Sequence, residues 1–199
     1  MADNFRSSKY DELLRSFDPY VHAVTVITEP HRLIHDGFFF QAAGLVTGLA
    51  NGGNFDLLMR IPQLIFPHLT LVEYSIEDAP CLIRMYEGPT VSADGTAVNV
   101  RNHNRASGSD TSGATMTHTP TITDVGTELD VRYIPPAPSG GGGGPGGRAS
   151  GRMVEGQDVE WVLGSAATET RYLWRLTNNS GGAIDFSYHF NGYEAGYES

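Results

Sequence analysis

Seven histidines, one cysteine and a serine-rich loop are the side chains with chemistry to offer in this 199-residue chain. The histidines are His22, His31, His35, His68, His103, His118 and His189. A metal site of the cupin type, built on a β-scaffold, shows two histidines one residue apart with a carboxylate shortly after. No such pair occurs. His31 and His35 are four apart, but Pro30 and Gly37 bracket them as a loop, so helical ligand spacing does not apply there. His118 and His189 fall on strand-like segments and read as ordinary strand-face residues. The expectation is no metal site and no cofactor.

Cys81 stands inside a β-like run and reads as a buried, small apolar residue rather than a nucleophile. With one cysteine there is no intramolecular disulfide and no multi-cysteine zinc site. Ser107-Gly108-Ser109-Asp110 lacks the strand-to-helix elbow that makes a serine nucleophilic. The glycine run 140–144 is followed by no Gly-Lys-Ser/Thr, so it is not a phosphate loop. A carboxylate pair for sugar hydrolysis is a matter of geometry rather than sequence. Tyr188, Tyr193 and Tyr197 are candidates for a sugar-stacking platform, although the spacing of Tyr188 suits a core position. Nothing here demands an enzyme, and the expectation is a non-enzymatic binding or structural module.

The elements that carry these residues are mostly strands. Gly 24 and Pro 11, with Thr and Ser throughout, favour short strands and turns over helices. The chain is organised around Cys81–Arg105. Cys81, Ile83 and Met85 alternate with Leu82, Arg84 and Tyr86, the period of a strand. Gly88-Pro89 stops it. Ser92-Ala93-Asp94-Gly95 is a tight turn, and Thr96, Val98 and Val100 mark a return strand that would make a hairpin. Further strands are expected at Val21–Thr28, Phe38–Ala43, Phe55–Ile61, Leu69–Ile76, Ala114–Thr119, Leu129–Tyr133, Val159–Leu163, Tyr172–Leu176 and Ile184–Phe190. Pro62 and Pro67 bracket a connection, and the last strand is expected to stop at Asn191-Gly192. Ten or so short strands with regular turn signals predict an all-β fold, an antiparallel β-sandwich of jelly-roll type.

Residues 1–18 read as an N-terminal arm with a short helix. Ser8 is its cap, and Tyr10, Leu13, Leu14 and Phe17 share one face. Two turns are marginal alone, so the helix must dock on its own domain or on a neighbouring subunit. Residues 19–199 then form a single β-sandwich domain containing a flexible Gly/Pro-rich loop at 135–150.

The formal net charge is −10, and no basic patch stands out, so neither nucleic acid nor an anionic membrane is an expected partner. No basic-then-apolar leader opens the chain. No apolar run approaches the ~20 residues that span a bilayer. Synthesis in a host cytoplasm is the expectation.

A resemblance carries the reading further. Met85-Tyr86-Glu87-Gly88, Val91 through Val98 and Asn102-His103-Asn104-Arg105-Ala106-Ser107 together resemble a hallmark of head decoration (cement) proteins of tailed bacteriophages. These are small β-rich virion proteins encoded near the major capsid protein. Thr117 through Ile122 and Gly126-Thr127-Glu128-Leu129 resemble their next block. Glu160 through Leu163 and Tyr172 through Ser180 resemble their last strands, and His35-Asp36-Gly37 with Asn51 through Met59 resemble the front of the domain. The glycine-proline loop and the tail after Tyr193 depart from the pattern. The resemblance implies a homotrimer on the outer surface of the assembled head, with the major capsid protein as partner, stabilising it against internal DNA pressure. The arm residues Phe5, Tyr10, Leu13, Leu14 and Phe17 are the expected capsid contacts. An alternative reading is a tail or head-fibre adhesin that binds host-surface glycans. Tyr86, Glu87, Gly88, Gly95, Asn102 and Arg105 read as fold determinants.

Overall fold

The computed structural model describes residues 29–77, 79–106, 112–136, 148–154 and 160–196. The arm with Phe5, Tyr10, Leu13, Leu14 and Phe17, the strand expected at 21–28 and most of the glycine-proline loop lie outside the described residues. Fourteen strands and one helix order the rest. In chain order they are α1 (Glu29–His35), β1 (Phe39–Leu49), β2 (Asn54–Ile61), β3 (Ile65–Glu77), β4 (Cys81–Glu87), β5 (Thr90–Ala93), β6 (Thr96–Val98), β7 (Arg101–Asn102), β8 (Thr115–His118), β9 (Thr121–Asp124), β10 (Thr127–Ile134), β11 (Arg148–Val154), β12 (Trp161–Val162), β13 (Thr170–Asn178) and β14 (Ile184–Gly196).

The fold is an antiparallel β-sandwich. One sheet runs β11-β3-β14-β1-β7, with β12 also on β3; the other runs β10-β4-β13-β2-β8-β6. Eight of the strands divide equally between them. β1, β3, β11 and β14 lie in the first sheet, and β2, β4, β10 and β13 in the second. Each sheet interleaves early and late strands, which is the double Greek key of a jelly roll.

The core follows from alternation. Phe55, Leu57, Met59 and Ile61 on β2, Cys81, Ile83 and Met85 on β4, and Tyr172, Trp174 and Leu176 on β13 all point between the sheets. Val72, Tyr74 and Ile76 on β3 and Phe186, Tyr188 and Phe190 on β14 answer from the other side. Trp174 meets Phe190 edge-on, with ring centroids 5.1 Å apart, the geometry that aromatic quadrupoles favour. At one end of the sandwich the buried Asn178 ties two turns together. Its amide donates to the carbonyls of Leu49 (2.8 Å) and Gly182 (2.7 Å), and its oxygen accepts from Ser180 N–H (2.9 Å).

Five local expectations change. Residues 30–37 form α1 and its cap instead of a loop. Pro30 sits in the first turn, where its missing N–H costs nothing. Gly37, at φ 78°, donates to Ile34, and Phe38 donates to Leu33, closing the helix as a Schellman cap. The hairpin expected between residues 81–87 and 96–101 does not form. β4 pairs with β10 and β13, whereas β6 pairs with β8. Strand β3 begins at Ile65, so Pro67 lies within it, giving its carbonyl to Leu163 N–H at 2.9 Å. The last strand continues past Asn191-Gly192 to Gly196, with a bulge at that point absorbing the irregularity. Strand β11 adds a partner for β3 beginning at Arg148, within the stretch drawn from the sequence as loop.

Candidate functional site

The resembling stretches 85–98 and 117–129 lie in one continuous ribbon. β4 and β10 pair at one edge of the second sheet, and β6 and β8 pair at its other edge. Between them β5 pairs with β9. The ribbon therefore leaves one edge of the sheet and rejoins it at the other, crossing the outer face of β13 and β2. Leu58 and Leu173 show what this does. Alternation turns both away from the main core, yet neither has any exposure. At its two ends the ribbon continues the sheet's own ladders: Gly88 N–H donates to Arg171 C=O on β13 (2.9 Å), and Thr119 N–H donates to Asp56 C=O on β2 (2.9 Å). Asp94 at the ribbon's turn pairs with Arg60 on β2.

Glycine makes the corners. Gly95 has φ 83°, and a Cβ there would stand 2.3 Å from His118 C=O. Gly126 has φ 82°, and a Cβ there would stand 2.2 Å from Glu87 C=O. Both positions need positive φ and close backbone approach, which only glycine combines. The other hallmark residues are also structural. Glu87 accepts from Tyr172 O–H at 2.9 Å. Asn102, 1 % exposed, donates to Gly37 C=O (2.6 Å) and accepts from Asn104 N–H (2.8 Å), tying the end of the excursion to the helix cap.

Under the ribbon lies an ion pair that sequence reading missed. Asp56 and Arg175 are direct cross-strand partners, and their side chains are only 12 % and 19 % exposed. The carboxylate holds the Arg175 guanidinium even more firmly protonated than usual, chiefly through their hydrogen bonds. The only sequence signal was an acid and a base at polar phases of two strands whose register was unknown.

The titratable candidates are distributed rather than gathered. Among the described residues no three His, Cys, Asp or Glu side chains come together as a metal site. His68 stacks on Tyr193, with ring centroids 4.5 Å apart, and bonds Glu160 through Nδ1 at 3.0 Å. Tyr193 thus has one ring face spent on His68 and its hydroxyl on Glu160. Tyr188 is buried in the core, and Tyr197 lies outside the described residues. His103 meets Phe39 edge-on, and burial lowers its pKa. Cys81 is fully buried, and desolvation raises its thiol pKa, the opposite of an activated nucleophile.

Two carboxylates, Glu87 and Glu169, line a shallow groove with Gly88, Pro89, Thr170 and Arg171. A glycosidase pair needs one member held protonated near neutral pH. Glu169 is driven the other way. Its hydrogen bond to Arg171 is the main cause of a lowered pKa, with Arg60 adding to it. An apolar cavity of about 40 Å³ among the described residues is lined by Phe40, Met59, Leu69, Phe190 and Glu194. It is large enough for a water and far too small for an organic ligand. Glu194 itself is occupied, accepting from Ser112 O–H and from the amides of Gly113 (2.9 Å) and Ala114 (3.1 Å).

What remains open is surface. Val131 (47 %) and Tyr133 (61 %) stand exposed on the edge strand β10. The sequence reading placed them with Leu129 in one expected strand. A bulge between Glu128 and Asp130 breaks the register, leaving Leu129 against the core and the other two facing solvent. They are flanked by the Arg84–Glu128 and Arg132–Asp130 ion pairs.

Comparisons with family models, with curated proteins and with solved structures found no match to this chain.

Proposed function

We propose that this protein is a capsid decoration protein, a non-enzymatic virion component that binds the outside of an assembled phage head as a trimer. The observation that carries the reading is where the resembling residues lie. Met85–Gly88, Val91–Val98, Thr117–Ile122 and Gly126–Leu129 supply the two strands of one ribbon and its glycine corners. The resemblance therefore follows a defined and unusual piece of geometry, not a scatter of common residues.

The remaining features support a binding role. The interior is filled by packed side chains, and the buried polar groups described above are engaged in holding strands and turns. The exposed apolar pair Val131 and Tyr133 offers a small surface to a protein partner. The proposed capsid contacts are the arm residues Phe5, Tyr10, Leu13, Leu14 and Phe17. Cementing is a linkage effect: a partner that binds only the assembled shell stabilises it by mass action. Three-fold symmetry would repeat each modest contact, and avidity would slow release.

The deciding experiment is a copy count on purified particles, measured against the major capsid protein and combined with cryo-EM. A ratio near one to one, with density at three-fold positions, is the expected result. A few copies at the tail or a vertex would replace this reading with that of a glycan-binding adhesin. Deleting residues 2–18 tests the arm separately: unchanged occupancy would remove it from the contact.

A further inference from the structure

We propose that His31 and His35 form a two-nitrogen chelate for a late divalent transition metal, with Cu(II) and Ni(II) preferred. The two residues are one turn apart on α1, and both are exposed. Their Nε2 atoms lie 2.9 Å apart, with ring centroids at 4.6 Å. The hydrogen bond between them engages both atoms, one as N–H and the other through its lone pair. When the shared proton exchanges to Nδ1 of its own ring, both Nε2 lone pairs face one point, where an ion can replace the hydrogen bond.

The spacing matches a chelate. With metal–nitrogen bonds of about 2.0–2.1 Å, nitrogens 2.9 Å apart subtend roughly 90° at a shared ion. That is the angle between neighbouring positions in tetragonal or octahedral coordination, which suits Cu(II) and Ni(II) better than tetrahedral zinc. Among the described residues no third His, Cys, Asp or Glu completes the set. Asp36 is engaged by Arg32 at 2.5 Å. Water would fill the remaining positions, so binding is moderate in strength and leaves sites for exchange.

The platform is held at its C-terminal end by two sets of contacts. The Schellman cap at Gly37 fixes the last turn. Asn104 donates from Nδ2 to His35 C=O at 2.9 Å, tethering the helix to the segment after β7. A bound ion would add a clamp across the single turn that carries the chain into β1. Because both nitrogens must be unprotonated to ligate, acidification would release the ion.

The test is isothermal titration of untagged, full-length protein with NiCl₂ and with CuCl₂, alongside H31Q, H35Q, the double variant and H118Q. One saturable ion per chain is expected, with copper bound more tightly than nickel. Losing one arm of a chelate should weaken binding about a hundredfold, so each single variant at the pair should fall by that order. H118Q should match the native protein. Nickel should raise the Tm of the native chain and leave the double variant unchanged, whose metal-free Tm reports that it is folded. Binding retained in the double variant, an equal loss in H118Q, or no saturable binding at all would overturn the proposal.

Discussion

Arg175 lies in register against Asp56, with Nε–H donating to Oδ1 and Nη2–H to Oδ2, both at 2.7 Å. The pair joins neighbouring strands on the outer face of the second sheet. Breaking a mostly buried ion pair leaves one charge uncompensated and costs about 3–5 kcal/mol. Asp56→Ala and Arg175→Ala should each lower the urea midpoint accordingly. The double variant should lose much less than the sum of the two. Additive losses would mean that the bidentate contact contributes little.

The glycine corners of the ribbon separate two costs. Gly88 has φ 72° but open space around its Cβ position, whereas Gly95 combines φ 83° with a carbonyl 2.3 Å away. Gly88→Ala should therefore cost about 1 kcal/mol, the price of the left-handed conformation alone. Gly95→Ala must also displace backbone and should cost clearly more, about 3 kcal/mol or above. Denaturant unfolding of both variants checks this, and equal losses would rule out the steric contribution.

Tyr74 is fully buried, and its hydroxyl has no hydrogen-bond partner among the described residues. Burial, with smaller contributions from Tyr188 and Asp56, pushes its pKa well above the ordinary value. A buried hydroxyl without a partner costs about 1–3 kcal/mol. Tyr74→Phe keeps the ring and removes that cost, so it should raise the Tm by a few degrees. A lower Tm in the variant would show that the hydroxyl is satisfied.

Glu169 gives an acid-side signature. Arg171, then Arg60, holds its folded pKa below the ordinary carboxylate value of 4.5. A depressed folded value means that the stabilisation is present above the unfolded pKa and is lost as pH falls through the folded one. The side chain is nearly half exposed, so solvent screening limits the effect to about 1 kcal/mol or less. Glu169→Gln should be slightly less stable than the native chain at pH 7 and should converge with it as pH falls through the depressed folded pKa. A gap that persists unchanged at low pH would assign the loss to packing instead.

Much of the sandwich was legible in the sequence because its strands obey simple alternation. Cys81–Met85, Phe55–Ile61 and Ile184–Phe190 each bury the expected face. What period-two reading missed is what long-range pairing decides. Thr96–Val98 looked like the return of a hairpin, because a turn signal says where the chain bends and not which strand it then meets. The strand at Leu129–Tyr133 was legible, but its facing was not, because one bulge residue reverses every phase beyond it. The histidine pair was hidden by reading Pro30 and Gly37 as loop markers, although the same two residues start and end a helix. The Asp56–Arg175 pair needed a register that no local pattern supplies.

The placement of β13 and β14 sets the order in which the molecule can be completed. β13 is the strand between β2 and β4, and β14 is the strand between β1 and β3. Both come from residues 170–196, after every strand they separate has already left the ribosome. Until then the nascent chain holds two half-sheets with open inner edges, waiting for their central members. Such a chain gains little from folding as it is made and has a long interval of exposed strand edges. Productive folding should wait for residues 170–196, and their removal should abolish the whole fold rather than trim its end.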